Sequence, residues 1–376
     1  MPPRPSDIVV VGAGIVGCSV AYELARRGAS VQVVDGRRPV GMGATQASAG
    51  ILAPYIEADE TNSVLLDLVV RSLNLYDSFV SRVVSDSGIA VRYHRTGTLE
   101  VTTSDNGMAT LRKMAGRLEA QGVASSLLDG KAVRAEEASL SSEALGGLLV
   151  PTHGFVGASE LTEALTAAAR RHGAQLVEGS HVHRIVQVNG DFVVETGRGP
   201  LTGNAVVLAA GSWSGQIEIA GLTASIPIRP VRGQLLRVMW NGPPLRRVIW
   251  GERCYLVPWD DGTLLVGATM EEAGFDERTT VAGVRDLLEA VCDLVPGAWS
   301  ASFLGARAGL RPTSADLLPI IGASHVLPNL MYATGHYRNG ELLAPLTAQL
   351  VADAMLEKRN DPALEATSPR RFGNGL

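Results

Sequence analysis

The feature that most constrains the fold of this chain is a glycine motif placed between an apolar run and a helical pattern near the N-terminus. Gly12, Gly14 and Gly17 form GxGxxG within DIVVVGAGIVGCSVAYELARRGASVQVVDG, residues 7–36. The apolar residues before and after the amphipathic stretch predict a strand, a helix and a second strand. Glycines at these positions permit a tight turn and let backbone N–H groups approach a pyrophosphate at the helix N-terminus. The segment therefore predicts a βαβ unit that binds a dinucleotide.

An acidic residue follows the motif at the distance that such a site needs. Asp35 ends the second predicted strand, 18 residues after Gly17, where a carboxylate can accept hydrogen bonds from ribose hydroxyls. A carboxylate there would repel a 2′-phosphate, so NADP is disfavoured, and the adjacent Arg37 and Arg38 are predicted to be solvated.

The glycine motif alone leaves NAD and FAD open, and two later segments favour FAD. GATQASAGILAP, residues 43–54, is small and polar and then apolar, which suits a segment that lies along a flat ring. VVLAAGSWS, residues 206–214, would return the chain to the cofactor sheet near the middle of the sequence. Such a late return is more typical of a flavin fold than of a contiguous nicotinamide domain.

Composition narrows the class of protein. A chain of 376 residues is expected to form two domains, and a net charge of −5 gives no support to a nucleic-acid partner. The apolar stretch Ile8–Ala25 is interrupted by glycines and by Glu23, and no segment reaches about 18 uninterrupted apolar residues, so no membrane contact is expected. Cys18, Cys254 and Cys292 have no CxxC or metal spacing, which fits a reducing environment. The sequence therefore predicts a soluble, cytoplasmic protein.

The remaining pattern alternates between helices and antiparallel strands. Residues 160–173 and 283–294 are amphipathic, and Ser159 is available as the N-cap of the first of these helices. Residues 174–211 resemble a β-meander, and residues 254–270 resemble a hairpin that turns at 260–262. Because no long polar linker separates these segments, the domains are expected to interleave along the chain.

Taken as a whole, the sequence resembles the D-amino-acid oxidase superfamily, and most closely the bacterial glycine oxidases of thiamine biosynthesis. The resemblance covers nearly the full length and rests on these motifs: VVVGAGIVGCSVAYELARRG, ASAGILAP, VVLAAGSWSG, CYLVPWDDGTLLVGATM, AGLRPTSADLLPIIG and ATGHYRNGELLAP. The first motif is shared by many flavoproteins, whereas the last three separate this branch from other FAD enzymes.

The resemblance implies a fold class of α/β and α+β. An FAD-binding Rossmann-like βαβ domain would be interleaved with an antiparallel-sheet substrate domain. The predicted FAD-binding domain comprises residues 1–85, 150–225 and 308–376, and the predicted substrate-binding domain comprises residues 86–149 and 226–307.

The implied activity uses non-covalent FAD. It is the oxidative deamination of glycine, sarcosine and small D-amino acids to the 2-oxo acid, with dioxygen as acceptor and hydrogen peroxide as product. The imine would supply thiazole synthesis in the thiamine pathway. A dehydrogenase with another electron acceptor, a non-catalytic flavin-binding protein and a tRNA-modifying relative remain alternatives, and the chain could form a homo-oligomer.

The resemblance also assigns roles to individual residues. Arg311 in GLRP would pair with the substrate carboxylate, Tyr255 would donate a hydrogen bond to it, and Arg338 would lie beside the flavin, so these three are the predicted catalytic residues. Met270 and Arg253 complete the predicted substrate site. The predicted cofactor-binding residues are Gly12, Gly14, Ile15, Val16, Gly17, Asp35, Gly36, Ala44, Thr45, Ala49, Gly50, Ile51, Val182, Tyr337, Arg338, Asn339, Gly340, Glu341, Leu342 and Leu343.

Two residues depart from the family pattern. Glu341 stands where an apolar residue is expected, at the start of a helix whose N-terminus should point at the pyrimidine edge of the flavin. Its carboxylate would oppose the helix dipole there, unless Glu341 is an ordinary surface residue of the first turn. Arg253 stands where relatives can carry a histidine, which bears on the choice of substrate.

Three histidines could have other roles. His336 could be a base, or it could be a hydrogen-bonded histidine of a loop. His181 and His183 alternate on one predicted strand and could bind zinc, but no third ligand lies near them in sequence. No metal site is therefore predicted.

Overall fold

The computed structural model of the chain describes residues 6–57 and 62–376. Its strands are β1 (Ser6–Val11), β2 (Val31–Asp35), β3 (Ile51–Leu52), β4 (Tyr93–His94), β5 (Thr98–Thr102), β6 (Ser126–Asp129), β7 (Gly146–Val150), β8 (Gly154–Val156), β9 (Gln175–Glu178), β10 (Val182–Val188), β11 (Asp191–Thr196), β12 (Leu201–Leu208), β13 (Glu218–Ile219), β14 (Ile228–Met239), β15 (Val248–Trp250), β16 (Tyr255–Pro258), β17 (Thr263–Gly267), β18 (Ser302–Ser314), β19 (Ile320–Ala323) and β20 (Leu330–Thr334). Its helices are α1 (Ile15–Arg26), α2 (Pro54–Glu57), α3 (Ser63–Ser87), α4 (Asp105–Ala120), α5 (Gly130–Glu136), α6 (Ala158–Arg171), α7 (Val281–Leu294), α8 (Gly340–Leu356) and α9 (Pro362–Ala366).

The first large sheet contains the predicted βαβ unit. Its strand order is β13-β10-β11-β12-β1-β2-β9, and β20 lies beside the second half of β12 with β19 at its other edge. β1 runs parallel to both β2 and β12, which places the glycine motif at the carboxyl end of a central strand. Helices α6 and α8 pack on α1, which is buried on nearly every side, and α3 packs on α6 and α8. This packing fixes the N-termini of α1 and α8 relative to the sheet.

The second large sheet has the order β18-β14-β17-β16-β15-β5-β7-β6 and is antiparallel except where β15 meets β5. One face packs on α7 through Leu236, Val238, Leu256 and Val266. Its other face is turned toward the first sheet and carries Tyr255 on β16. A small sheet has the order β3-β8-β4, and on β8 Val156 packs in the core of the first large sheet while Phe155 packs against the second.

Most predicted elements are confirmed, and two details of them are wrong. The hairpin of β16 and β17, the helices α6, α7 and α8, and the antiparallel β10, β11 and β12 all form. Ser159 does not cap α6, because the helix begins at Ala158, two residues earlier than predicted, and its N-cap Gly157 offers no side chain. β9 does not join the meander and instead runs parallel to β2.

The sheets can be compared with the predicted domain segments. β5 to β7 and β14 to β17 lie in the second large sheet, and β18 crosses the predicted boundary between residues 307 and 308. The domain division itself stays a prediction. Within the described ranges, no helix combines the length and the apolar character needed to cross a membrane.

Candidate active site

A cavity of about 640 Å³ extends from the glycine motif to the second large sheet. The N-terminal ends of α1 and α8 open onto it, and so do residues 43–51 and the strand ends that carry Tyr255 and Arg311. Ligand pockets in proteins usually have volumes of roughly 300–1,000 Å³. The cavity is therefore large enough for a cofactor together with a small substrate.

The glycine motif is shaped by two close backbone approaches. Gly12 has φ of +104°, and a Cβ added there would lie 2.4 Å from the carbonyl oxygen of Ala209. A Cβ added at Gly17 would lie 1.9 Å from the carbonyl oxygen of Gly12. The turn can therefore form only with glycine at both positions, and it leaves the N-terminus of α1 facing the cavity.

Polar side chains support this turn from two sides. Asp35 accepts hydrogen bonds from the N–H of Ala13 at 2.7 Å and of Arg37 at 2.8 Å, and it lines the cavity. An ionised carboxylate offers about four acceptor sites, so capacity remains for a ribose hydroxyl. Thr45 accepts the N–H of Ile15 at 3.1 Å, which orders the first turn of α1. The first turn of α1 carries no acidic residue, so the helix end is suited to a pyrophosphate.

Most of the predicted cofactor residues line the cavity. They are Gly12, Gly14, Ile15, Val16, Asp35, Gly36, Ala44, Thr45, Ala49, Gly50, Ile51, Val182, Tyr337, Arg338, Gly340 and Glu341.

Four predicted cofactor residues lie behind the wall of the cavity. Gly17 packs inside the turn, and Asn339, Leu342 and Leu343 are buried with 3%, 1% and 1% of their surface exposed. The two leucines belong to the apolar core, so their side chains cannot contact a ligand. The N–H of Leu343 donates to the carbonyl of Asn339 at 2.8 Å, so this backbone group is also occupied.

The prediction that Arg37 is solvated is wrong. Its guanidinium lies 2.6 Å from Glu277 and 4.4 Å from the centre of the Trp213 ring. Trp213 in turn contacts Phe275, with ring centroids 6.0 Å apart. The sequence motif around Asp35 contained no sign of this contact, because Glu277 is more than two hundred residues away.

Arg311 lies half-buried on β18 and points across the neighbouring strand. Its Nη1 donates to the carbonyl oxygens of Thr269 at 3.0 Å and of Arg232 at 3.4 Å. A Cβ on Gly233 would lie 2.3 Å from the guanidinium, so this glycine makes room for it. Over residues 6–57 and 62–376, Arg311 forms no ion pair with a carboxylate.

A glycine on the neighbouring strand also makes room for the side chain of Tyr255. A Cβ on its cross-strand partner Gly267 would lie 2.4 Å from the Tyr255 hydroxyl, so the ring lies over that glycine. The ring of Trp250, also in the cavity wall, has its centroid 5.1 Å from that of Tyr255. Sequence reasoning missed Trp250, Gly233 and Gly267. Isolated glycines within strand patterns were the available signal, since they often mark a close approach.

The other predicted substrate residues form the rim of the cavity. Met270 is 69% exposed and accepts a hydrogen bond from the Tyr337 hydroxyl at 3.0 Å. Arg338 is exposed, with its Cζ atom 5.4 Å from the centre of the Tyr337 ring. Arg253 turns toward α7 and pairs with Asp293 at 2.7 Å. Arg253 therefore already has a carboxylate partner.

His336 is a buried, neutral residue of the cavity wall. Its Nε2 lies 3.0 Å from the Thr347 hydroxyl, and burial lowers the pKa of His336 to about 3. The structure favours the hydrogen-bonded loop histidine over the base. His181 also lines the cavity, whereas His183 points outward toward Glu195 at 3.7 Å. Within the described part of the chain, no three His, Cys, Asp or Glu side chains are grouped to hold a metal.

Glu341 is buried, with 8% of its surface exposed, and it lines the cavity. The interpretation of Glu341 as a surface residue is therefore wrong. Its carbonyl oxygen accepts a hydrogen bond from the hydroxyl of the fully buried Tyr76 at 2.6 Å. Burial, and then the charge of Glu341, raise the pKa of Tyr76 well above its usual value, so the phenol stays protonated. The carboxyl group of Glu341 thus lies inside the site, at the N-terminal end of α8.

Comparison with known proteins agrees with this geometry. The family model "FAD dependent oxidoreductase" matches residues 7–354. The bifunctional protein ThiO/ThiG of Nostoc sp. is 35% identical over 95% of this chain, which spans only 54% of that protein. The glycine oxidase of Geobacillus kaustophilus is 32% identical over 94% of this chain and 93% of its own. The crystal structure of glycine oxidase from that organism has a TM-score of 0.92, with 98% of this chain and 99% of the other covered.

The match to the family extends from the glycine motif to the helix that carries Glu341, and so includes both ends of the cavity. The turn at Gly12, the carboxylate of Asp35 and the open end of α1 fit the dinucleotide that this family uses. The chain belongs to the FAD dependent oxidoreductase family, and its cofactor is FAD.

Proposed function

We propose that this protein catalyses the oxidative deamination of glycine and other small amines, among them sarcosine and D-amino acids. The products would be the 2-oxo acid, hydrogen peroxide and ammonia, or methylamine in place of ammonia where the substrate is sarcosine. Relatives named glycine oxidase support this proposal, because they match over almost the whole chain. The observation that carries it is that the charged guanidinium of Arg311 has no carboxylate partner among the described residues.

Arginines near the cavity differ in whether a carboxylate compensates them. Three are paired: Arg37 with Glu277, Arg232 with Glu271, and Arg253 with Asp293. In the described ranges, the guanidinium of Arg311 has carbonyl acceptors and no carboxylate. A half-buried cation of this kind is suited to a ligand carboxylate, which an arginine can bind through two parallel hydrogen bonds.

The chain's own groups would bind and orient the substrate. Arg311 would hold the carboxylate, and the Tyr255 phenol would donate a hydrogen bond to it, so that the Cα–H bond faces the cofactor end of the cavity. Fixing this orientation lowers the entropic part of the barrier. Bound FAD would supply the acceptor for the two electrons that leave the substrate.

The overall reaction balances with water and dioxygen. The amine loses two electrons and two protons and becomes an imine. Water then hydrolyses the imine to the 2-oxo acid and the free amine, which is ammonia for glycine and D-alanine and methylamine for sarcosine. Dioxygen takes up the two electrons and two protons as hydrogen peroxide. In an organism that makes thiamine, the imine would instead be passed to thiazole synthesis.

Two alternatives make different predictions for the same protein. A dehydrogenase would be reduced by the amine and reoxidised by an acceptor other than dioxygen. A non-catalytic flavoprotein would not be reduced by any amine. The half-buried Arg311, which has no carboxylate partner among the described residues, argues against the second, since a protein that only stores flavin needs no such cation.

The experiment compares Arg311→Ala with the wild type loaded with FAD. Glycine, sarcosine, D-alanine and D-proline are mixed anaerobically with each protein while the flavin absorbance is followed, and oxygen is then admitted while peroxide is measured. Because Arg311→Ala removes the group that would bind the substrate carboxylate, it should raise KM for glycine by the equivalent of about 2–5 kcal/mol, with FAD content retained. Arg285→Ala is the matched control, because Arg285 is 65% exposed on α7 and should change nothing.

The outcomes separate the three classes. Anaerobic bleaching followed by rapid reoxidation with peroxide supports the oxidase. Bleaching without reoxidation by oxygen indicates the dehydrogenase. The proposal is wrong if no amine bleaches the flavin, or if Arg311→Ala retains the wild-type KM.

A further inference from the structure

The segment between β17 and α7, residues 268–280, connects the Arg311 side chain to a buried polar network. We name this segment the β17–α7 loop. Ala268, Thr269 and Met270 at its start line the cavity, and the carbonyl of Thr269 accepts the shorter of the two hydrogen bonds from Arg311. The position of this carbonyl therefore influences where the guanidinium lies.

One buried side chain holds both ends of the β17–α7 loop. Gln234 on β14 is fully buried, and its Oε1 accepts the N–H of Thr280 at 2.8 Å. Its Nε2 donates to the Thr280 hydroxyl at 3.0 Å and to Glu271 at 2.7 Å. A Cβ on Gly283 would lie 2.4 Å from this Nε2, so a glycine in the first turn of α7 makes room for the amide.

The carboxylate of Glu271 transmits this constraint to Thr269. Its Oε1 accepts hydrogen bonds from Gln234 and from the Thr269 hydroxyl at 2.5 Å, and its Oε2 accepts from Arg232 at 2.5 Å. Burial opposes ionisation of Glu271, but the hydrogen bonds from Thr269, Arg232 and Gln234 outweigh it, and the pKa of Glu271 is lowered. The carboxylate is therefore charged at neutral pH.

Thr269 is also held through its backbone. Its N–H donates to the carbonyl of Gln234 at 3.1 Å, and its hydroxyl accepts the N–H of Gln234 at 2.9 Å. The N–H and the hydroxyl of Thr269 thus form three hydrogen bonds with Gln234 and Glu271, and its carbonyl accepts the hydrogen bond from Arg311. Buried amides are rarely placed inside strands unless every polar atom is satisfied, and here both Gln234 side-chain atoms are.

We propose that Gln234 is a positioning residue for substrate binding, and that it acts through Glu271 and Thr269 to fix the guanidinium of Arg311 in the cavity. The inference rests on the proposed role of Arg311 in binding a carboxylate. Gln234 itself lies behind the cavity wall, and it is not a catalytic residue.

The test uses acetate, a carboxylate that lacks the amine, titrated into the FAD-loaded protein while the flavin spectrum is followed. Gln234→Leu removes the three side-chain hydrogen bonds at similar volume. It should raise the acetate Kd and the KM for glycine together, by about tenfold for loss of a buried network, with FAD content retained and kcat changed less than twofold. In an Arg311→Ala background, Gln234→Leu should have no further effect on acetate binding, because a positioning residue acts only through its target.

A second variant covers the case in which Gln234→Leu does not fold. Glu271→Gln keeps the size and the acceptor oxygen but removes the charge, and it should raise the acetate Kd by about threefold as the hydrogen bonds weaken. Glu272→Gln is its control, because the adjacent Glu272 is 68% exposed and pairs only with Arg229 among the described residues. Gln234→His, which can donate and accept, should restore part of the acetate affinity.

The possible results are distinguishable. An unchanged acetate Kd in Gln234→Leu and Glu271→Gln, with a lower thermal midpoint, overturns the inference and leaves Gln234 with a structural role alone. Equal losses with and without Arg311 also overturn it. An acetate Kd that does not respond to Arg311→Ala overturns the proposed function and this inference together.

Discussion

The two helix ends that open onto the cavity differ in charge. Helices α1 and α8 pack against each other, and their first residues line the same cavity. The first turn of α1 carries no acidic residue, whereas that of α8 carries the buried Glu341. A helix N-terminus carries roughly half a positive charge. The end of α1 therefore suits a pyrophosphate, while the N-terminal end of α8 already has an acidic side chain beside it.

The two ends also differ in the space they leave. A Cβ at Gly12 or Gly17 near α1 would lie within 2.4 Å or 1.9 Å of a carbonyl oxygen. At Gly340, the first residue of α8, the nearest atom to an added Cβ would be 3.9 Å away. Backbone contacts therefore fix the N-terminal end of α1. At the N-terminal end of α8, side chains determine the surroundings instead.

The largest expected effect tests this difference in space. Gly12→Ala should weaken FAD binding by at least about 100-fold, because φ of +104° and a carbonyl at 2.4 Å force the turn to move. Gly340→Ala should retain FAD, since it meets ordinary van der Waals distances. FAD fluorescence after dialysis measures both. Equal retention of FAD by the two variants would contradict the difference in space between the two helix ends.

A second prediction concerns the neutral His336 beside α8. Its pKa is about 3 in the folded protein against 6.5 for an ordinary histidine, so between these values the unfolded chain binds more protons and acid favours unfolding. His336→Asn should therefore lessen the loss of stability on acidification, by up to about 1.4 kcal/mol per pH unit well below pH 6.5. Thermal unfolding of the FAD-loaded proteins from pH 7 to pH 5 measures it.

The control for this pH dependence is His183→Asn, because the His183 side chain is 57% exposed and does not line the cavity. The buried His153, whose pKa is also lowered to about 3 by burial, contributes equally to all of these proteins. If His336→Asn and wild type lose stability in parallel, His336 is not the neutral group described at this helix end.

The smallest effect concerns the charge of Glu341. If α8 faces the ring of the cofactor, Glu341→Gln should raise the flavin reduction potential, because removing a negative charge favours the electron-rich reduced form. A charge at a helix N-terminus is worth about 1–2 kcal/mol when partly buried, or roughly 20–40 mV for two electrons. Glu341→Ile should shift the potential in the same direction and raise kcat.

Spectroelectrochemical titration of the bound FAD measures this potential. Glu365→Gln is the matched control, since Glu365 lies in the first turn of α9, is exposed and does not line the cavity. A potential that is the same in Glu341→Gln and wild type would mean that the carboxylate is screened from the cofactor.

Much of the fold could be predicted because its signals are local. The glycine motif, the apolar strands and the hairpin of β16 and β17 each depend on residues close in sequence, and all three form. The N-terminus of α6 could not be placed as well, because Gly157 gives no side-chain signal and Ser159 offered a better one. Helix ends depend on a few weak local contacts, so they are the least certain part of such a prediction.

The residues around the site divide in the same way. Trp250 became part of the site only through strand pairing, which no local pattern reports, whereas Gly233 was signalled only as an isolated glycine within a strand pattern. Arg37 was predicted to be solvated, and the burial of Glu341 was left open, because groups far along the chain decide both.

By itself, the sequence determined the dinucleotide motif, the family and the residue types that could bind a carboxylate. The tertiary structure decided which charges are compensated, since Arg37, Arg232 and Arg253 have carboxylate partners from distant segments, whereas Arg311 has none within residues 6–57 and 62–376. The physical reason is range. A turn or a strand is stabilised by neighbours in sequence, whereas the charge state and burial of a side chain depend on all groups that packing brings within a few ångströms.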